Sequence, residues 1–308
     1  MNLDTPRLFR FACLSVFLCY LVAQNSPYHV AVADELAPPS KTEAFVSVTA
    51  PGAKLERLVG DLGFAEGPAV DKKGSVYFSD IPKGVIYKRD ASGAVSVFRE
   101  IPGGSNGLYF DADGSLYVCE VGTRRISRIL PDGQYEVVAE RCEGKRFNQP
   151  NDLWIDSKGG IYFTDPVYNA VPNREMPGED VYYIKPGTRE VMRVATGLTR
   201  PNGVVGYGKK LYIADEAAKV IYLFDIMPDG TLSRKRVFIN RGSDGMAVDQ
   251  YGNLYVTGPE GVSVYHPTAQ LLETIAVPGG ATNVTLDPRD YKTLYITAPN
   301  ALYSIALR

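Results

Sequence analysis

An all-β fold, a six-bladed β-propeller with four antiparallel strands per blade, is predicted by three features of this 308-residue sequence. The first is self-similarity. Glu-Gly-Pro-Ala-Val-Asp (66–71) returns as Asn-Gly-Leu-Tyr-Phe-Asp (106–111), Asn-Asp-Leu-Trp-Ile-Asp (151–156), Asn-Gly-Val-Val-Gly-Tyr (202–207), Asp-Gly-Met-Ala-Val-Asp (244–249) and Thr-Asn-Val-Thr-Leu-Asp (282–287). The starts lie 40, 45, 51, 42 and 38 residues apart. That is the period of a blade; a sandwich has no such period, and a β-helix repeat is shorter. The second feature is the content of each copy. In most copies a glycine turn follows (Gly74, Gly114, Gly159, Gly208, Gly252), then a hydrophobic strand (VYFSD, LYVCE, IYFTD, LYIAD, LYVTG, LYITA), then a third and a fourth run. The third is composition: 30 glycines, 21 prolines and 20 tyrosines suit many short strands joined by tight turns.

The same composition excludes other classes. With 45% hydrophobic residues and a net charge of −2, the chain is not a disordered tail. Lys and Arg (33) do not outnumber Asp and Glu (35), and no basic run stands out, so no nucleic-acid partner is expected. Arg7 and Arg10 precede an apolar run, Phe11–Ala23, that is too short for a membrane span. Ala31-Val32-Ala33 fits the small-residue cleavage rule, and Leu21-Val22-Ala23 is a second candidate cut. Residues 1–33 therefore read as a secretory signal peptide. The mature chain is expected in the periplasm or medium, off the membrane, as a monomer. Export removes Cys13 and Cys19. An oxidising compartment then permits a Cys119–Cys142 disulfide, while two cysteines are too few for a zinc-thiolate site. Residues 34–53, with Pro38, Pro39 and Pro51 and no period, read as a linker, and residues 54–308 as the propeller.

The sixth copy ends at Arg308 after its third strand. Residues 55–59 precede the first copy and are placed to supply the missing outer strand, which would remove an exposed sheet edge. The opening residues of the copies are Glu66, Asn106, Asn151, Asn202, Asp244 and Thr282. First strands line a propeller's channel, so these positions form a ring at one end of it. All six side chains carry oxygen, although strands disfavour Asn and Asp. Two carboxylates and three amides on one axis suit a hard divalent cation, Ca²⁺ or Mg²⁺ ahead of Mn²⁺ or Zn²⁺. The alternative is a wet channel lined with polar groups, and Asn-Gly is also a common turn pair. Asp80, Glu120, Asp165 and Asp215 end the second strands at the same rim. They either orient ligands from behind, as Asp152 would, or form a turn device of the repeat. Trp154 reads as packing and His266 as a surface residue.

Glu66-Gly67-Pro68, Arg146-Phe147-Asn148-Gln149-Pro150-Asn151-Asp152, Pro201-Asn202-Gly203 and Ser243-Asp244-Gly245 occur in an order and spacing that are specific together. They resemble the senescence marker protein/gluconolactonase/regucalcin-like family of six-bladed propellers, over about residues 55–308. The resemblance implies one divalent metal on Glu66, Asn202 and Asp244, with Asn151 on the metal or the substrate. It implies hydrolysis of sugar-acid lactones with Ca²⁺ first, or Zn²⁺, Mn²⁺ or Mg²⁺. One departure bears on selectivity: an arginine two residues ahead of that asparagine in some animal members is Gln149 here, with Arg146 nearby. The histidine pair of the more distant paraoxonases has no counterpart, because His266 is the only histidine after residue 33. A Ser-His or Cys-His nucleophile lacks its base for the same reason. What remains is attack by water on a metal-polarised lactone carbonyl, with Asp244 taking the proton. Asn106, Asn148, Asn151 and Arg146 would engage the substrate. The competing reading is a non-catalytic exported propeller that binds a ligand or partner and keeps the metal as a brace, since fold alone does not choose. A more remote one is carbon–nitrogen condensation, as in strictosidine-synthase-like propellers.

Overall fold

Each copy of the repeat becomes one four-stranded antiparallel sheet. The computed structural model describes residues 47–308, and the expected signal peptide and most of the expected linker lie outside them. The described residues form strands and turns and no helix. The inner strands of blades one to six are Ala65–Val70, Ser105–Phe110, Leu153–Ile155, Pro201–Tyr207, Met246–Val248 and Asn283–Leu286. They touch one another in order around the axis, the last returning to the first. The tyrosine-bearing runs are the second strands, among them Val76–Asp80, Ile161–Asp165 and Leu254–Gly258. Neighbouring blades cover both their faces, which is why they read as continuous apolar runs rather than alternating ones. Outer strands such as Val95–Glu100 lie mostly in solvent.

Apolar side chains fill the seams between blades in six clusters. The closing seam joins Ala65, Val76 and Phe78 of blade one to Tyr295 and Leu302 of blade six. Glu56–Val59 pairs antiparallel with Ala301–Ala306 as the outer strand of blade six, as the truncated sixth repeat predicts. The described end of the expected linker is bonded to the propeller as well. Thr49 bridges Leu307, and the Glu273 carboxylate accepts the N–H groups of Val48 (2.8 Å) and Thr49 (3.1 Å) and the hydroxyls of Ser47 (2.8 Å) and Thr49 (2.7 Å). Trp154 packs in the seams, stacked on Tyr162 with ring centroids 5.9 Å apart. Cys119 and Cys142 are both buried in the seam between blades two and three and both are free, so no disulfide joins them.

Two devices bring the inner strands together at the axis. In blades one, two and four the strand carries one extra residue at or just after the ring position, between Glu66 and Ala69, Ser105 and Leu108, and Pro201 and Val204. Such a bulge bends the strand and re-aims a side chain. Glycine permits the approach. Gly67 has φ 46°, and a Cβ there would stand 2.2 Å from Asn106 O. The second device is a hydroxyl at one position of the second strand. Ser79 donates to Asn106 O (2.8 Å), Thr164 to Asn202 O (2.7 Å) and Thr257 to Thr282 O (3.0 Å). Thr164 and Thr257 also accept the N–H of Asp152 (3.1 Å) and Gly245 (2.9 Å) in their own blades. One hydroxyl thus fixes two inner strands at once.

Thr164→Val keeps the shape and leaves the buried Asn202 carbonyl without this donor, so it should destabilise by about 1–3 kcal/mol. Gly67→Ala adds strain and a backbone collision and should cost about 3 kcal/mol or more. Urea denaturation of both variants measures this; a Gly67→Ala variant as stable as the parent would contradict the close packing of the inner strands.

Candidate active site

The structure brings Glu66, Asn202 and Asp244 together at or just ahead of the starts of their inner strands, with Asn106 and Asn151 buried at the matching positions of blades two and three. Glu66, Asn106, Asn151 and Asn202 are buried, and Asp244 is half-buried. Asn202 Nδ2 donates to Asp244 Oδ1 (2.6 Å) and to the hydroxyl of Tyr168. Glu66 Oε2 accepts the N–H of Gly67 (2.9 Å) and Asn283 Nδ2 (3.1 Å). Asp152 is buried beside them, its Oδ1 accepting the N–H of Leu153 (2.9 Å). It feels the charge of Asp244 and is itself felt by Glu66.

The sixth position is a correction. Thr282 turns its hydroxyl to Ala65 O (2.6 Å) and Thr297 (3.0 Å), so it ties blade six to blade one. Asn283, the next residue, meets Glu66 instead. Blade six has no bulge between its inner and second strands, as is also so in blades three and five. Asn148 is a second correction. Its side chain is fully buried and its amide is engaged within the protein. Nδ2 donates to Asp165 O (3.0 Å) and Gly178 O (2.9 Å), and Oδ1 accepts from Arg174 Nε (3.1 Å). No polar group is left for a substrate. Arg146 donates from Nη2 to Thr123 O (2.9 Å), and its own N–H bonds Glu175 (2.9 Å), so its guanidinium is tied to the turn of blade two.

The carboxylates that end the second strands resolve into the turn device. Asp80 accepts the N–H of Gly63 (2.9 Å) and Phe64 (3.3 Å), Asp165 that of Asn148 (2.7 Å), and Asp215 those of Thr199 (2.9 Å) and Arg200 (3.0 Å). Each anchors the backbone entering its blade's inner strand and reaches no ring side chain directly. Glu120 serves blade two differently, gathering Ser127 (2.6 Å), Tyr135 (2.5 Å) and Arg125 (2.8 Å). His266 lies in a surface turn, bonded to Thr268 (2.8 Å).

The electrostatics set the site apart from an ordinary wet channel. Among the described residues, no lysine or arginine forms an ion pair with Glu66, Asp152 or Asp244. Burial, and then the charge of Asp244, pushes Glu66 well above the usual carboxylate range. Burial raises Asp152 to about 7 and Asp244 to about 6, the latter against the hydrogen bonds of Asn202 and Glu66. Asn106 Oδ1 and Asn202 Oδ1 are buried with no hydrogen-bond partner. Buried acceptors without donors are costly. Among the described residues no three His, Cys, Asp or Glu side chains are placed to hold a metal ion. What converges is carboxylate with neutral amide, all oxygen, a donor set suited to a hard cation.

Tyr168 and Asn283 were not singled out by the sequence. Asn283 stood one residue past the expected position. Tyr168 lies in the longest interval between repeats, 51 residues, which was its only signal.

A propeller of six four-stranded blades with a buried ring of carboxylates and amides at its axial mouth is a recognisable class of protein. The chain belongs to the SMP-30/gluconolactonase/LRE-like family, whose model matches residues 64–300. The motifs of blades one, three, four and five resemble this same family. The chain is 31% identical over 294 residues to the gluconolactonase of Zymomonas mobilis subsp. mobilis, covering 84% of this chain and 82% of that protein. It is 24% identical over 285 residues to lactonase drp35 of Staphylococcus saprophyticus, covering 85% and 82%. A gluconolactonase structure from Xanthomonas campestris superposes with a TM-score of 0.79 at 31% identity, covering 85% of this chain and 91% of that one.

Carboxylates with raised proton affinity in the folded state stabilise it below their unfolded pKa and lose that contribution as pH rises through the folded value. Asp244 (about 6), Asp152 (about 7) and Asp165 (about 8) all start from 3.8, and Glu66 shifts the same way. Chelator-treated protein should therefore lose thermal stability between about pH 4 and pH 8. Added Ca²⁺ should lessen the loss at the upper end, because it binds the ionised form. Scanning calorimetry across that range checks this; a flat profile in chelator would mean that these carboxylates are not desolvated.

Proposed function

We propose that the protein is a divalent-cation-dependent lactone hydrolase that opens sugar-acid lactones of the glucono-1,5-lactone kind. The observation that carries the reading is charge. Among the described residues, Glu66, Asp152 and Asp244 lie within one another's electrostatic reach with no basic partner, and the side-chain oxygens of Asn106 and Asn202 are buried without a hydrogen-bond partner. The names of the gluconolactonase and lactonase relatives support the substrate class. Glu66, Asn151, Asn202 and Asp244 would hold the cation, Ca²⁺ first, with Zn²⁺, Mn²⁺ and Mg²⁺ as alternates. When bound, the cation supplies Lewis-acid polarisation of the lactone carbonyl.

The chain's own residues supply the rest. Asn202 donates to Asp244 Oδ1 and so fixes that carboxylate's orientation. Asp244 accepts the proton of the attacking water at a carboxylate oxygen. Asn106 and Asn151, at the mouth, orient the substrate's oxygens. Asn283 holds Glu66 by a hydrogen bond, while the like charge of Asp152 raises the proton affinity of Glu66. Among the described residues the only histidine is the surface His266, and both cysteines are buried, which leaves activated water as the nucleophile. The leader of residues 1–33 supports export to the periplasm or medium, where the protein acts as a monomer.

Hydrolysis of glucono-1,5-lactone in a pH-stat, after chelation and with each cation restored, separates this reading from a binding propeller with a structural metal. Asp244→Ala should lower kcat/KM by about 10²–10⁴-fold and weaken cation binding together. Asn106→Ala should mainly raise KM. Near-normal turnover in Asp244→Ala would remove that residue from the mechanism.

A further inference from the structure

The surplus of the third repeat lies between Ile161–Asp165 and Glu179–Ile184. This excursion returns to the axis at Tyr168, whose hydroxyl accepts a hydrogen bond from Asn202 Nδ2. The phenol end therefore stands on the ring itself. Gln149 Oε1 holds the backbone there, accepting the N–H of Tyr168 (2.8 Å) and Asn169 (3.3 Å). The Arg200 guanidinium lies 5.1 Å from the centroid of the tyrosine ring and is braced by Glu216 at 3.5 Å. An aromatic ring fixed at its hydroxyl, at its backbone and by a cation is pre-organised. Even so, the residue is 42% exposed. A lone exposed aromatic on an outer strand needs no explanation. One whose hydroxyl is bonded to Asn202 has its exposed surface next to a ring residue.

We infer that Tyr168 is the substrate-positioning residue of this site. Its exposed aromatic surface receives the C–H face of a cyclic lactone, so that the carbonyl end is directed down to the ring. A pyranose-like ring has an apolar C–H face and a polar rim, and a tyrosine offers the matching surface with its polar tip engaged elsewhere. The inference rests on the lactonase reading for its substrate and on the geometry of Tyr168 for its residue. Stacking of this kind is worth about two- to twelvefold in affinity. It acts on binding of the substrate ring and not on the reacting carbonyl, so it should appear in KM.

The test compares Tyr168→Leu with Tyr168→Phe on glucono-1,5-lactone, with Ca²⁺ affinity measured by calorimetry. Tyr168→Leu should raise KM about five- to tenfold, leave kcat within about twofold and leave Ca²⁺ affinity unchanged. Tyr168→Phe keeps the aromatic face and should stay close to the parent in KM. An unchanged KM in Tyr168→Leu overturns the inference. So does a Tyr168→Phe variant as impaired as Tyr168→Leu with weakened Ca²⁺ binding, which would make the tyrosine a prop for Asn202. If the parent protein does not hydrolyse the lactone, the lactonase reading has failed, and binding of the unreactive gluconolactam decides Tyr168 separately. Weaker lactam binding by Tyr168→Leu upholds it; equal binding, or none by the parent, overturns it.

Discussion

The hydroxyl-to-carbonyl link between neighbouring blades is the interaction on which the rest of this structure depends. Apolar seams pull blades together without direction. They do not by themselves decide where one inner strand stands against the next. Ser79, Thr164 and Thr257 decide it, each binding the carbonyl of the residue that opens the next blade's repeat. Gly107 N–H adds a bond to Asn151 O (2.7 Å), and Gly245 N–H one to Thr282 O (2.9 Å). The ring residues are thus fixed through their backbones, and their side chains are left free to face the axis. In blades two and four the same position is Cys119 and Ala214, neither of which carries a hydroxyl.

That backbone fixation lets the site hold charges that oppose folding. Glu66 and Asp152 are buried, Asp244 partly so, and none has a basic partner among the described residues. Each loses hydration when the propeller closes. A single core of this size could not tolerate that as well as six seams can. The seams, the closing strand and the anchoring of residues 48 and 49 on Glu273 act far from the axis. Stability and chemistry are separated in space, with stability at the seams and rim and unsatisfied charge at the centre. A cation at that centre would favour folding and catalysis through the same contacts.

The departures from the repeat are where this chain acquires its own character. Four of the six copies place glycine second, where inner strands nearly touch, and the other two place Asp152 and Asn283 there. Those two side chains form the layer beneath Glu66. The longest interval between copies carries Tyr168 to the mouth, and Gln149, just ahead of Asn151, holds it there. A repeat builds the scaffold and its exceptions furnish the site, as expected when function overrides local consistency.

The sequence by itself determined the blade count, the strand order within a blade, the strand Glu56–Val59 that closes blade six and the packing role of Trp154. All of these follow from a repeat and from the apolar content of short strands, which are local properties. Only the tertiary structure decided the remainder. Asn148 looked like a group for substrate, but folding placed Gly178 and Arg174 against it and engaged its amide. Asp165 and Asp215 looked able to orient ligands, and they proved to hold the backbone ahead of each inner strand. Thr282 gave way to Asn283 because the Thr282 hydroxyl is engaged by Ala65 O and Thr297 while the amide of the next residue reaches Glu66. Tyr168 reached the ring through an irregular excursion whose path no period describes. Position along a strand is written in the chain; which atoms end up facing each other across the axis depends on bulges and on contacts between blades, and these exist only once the propeller has closed.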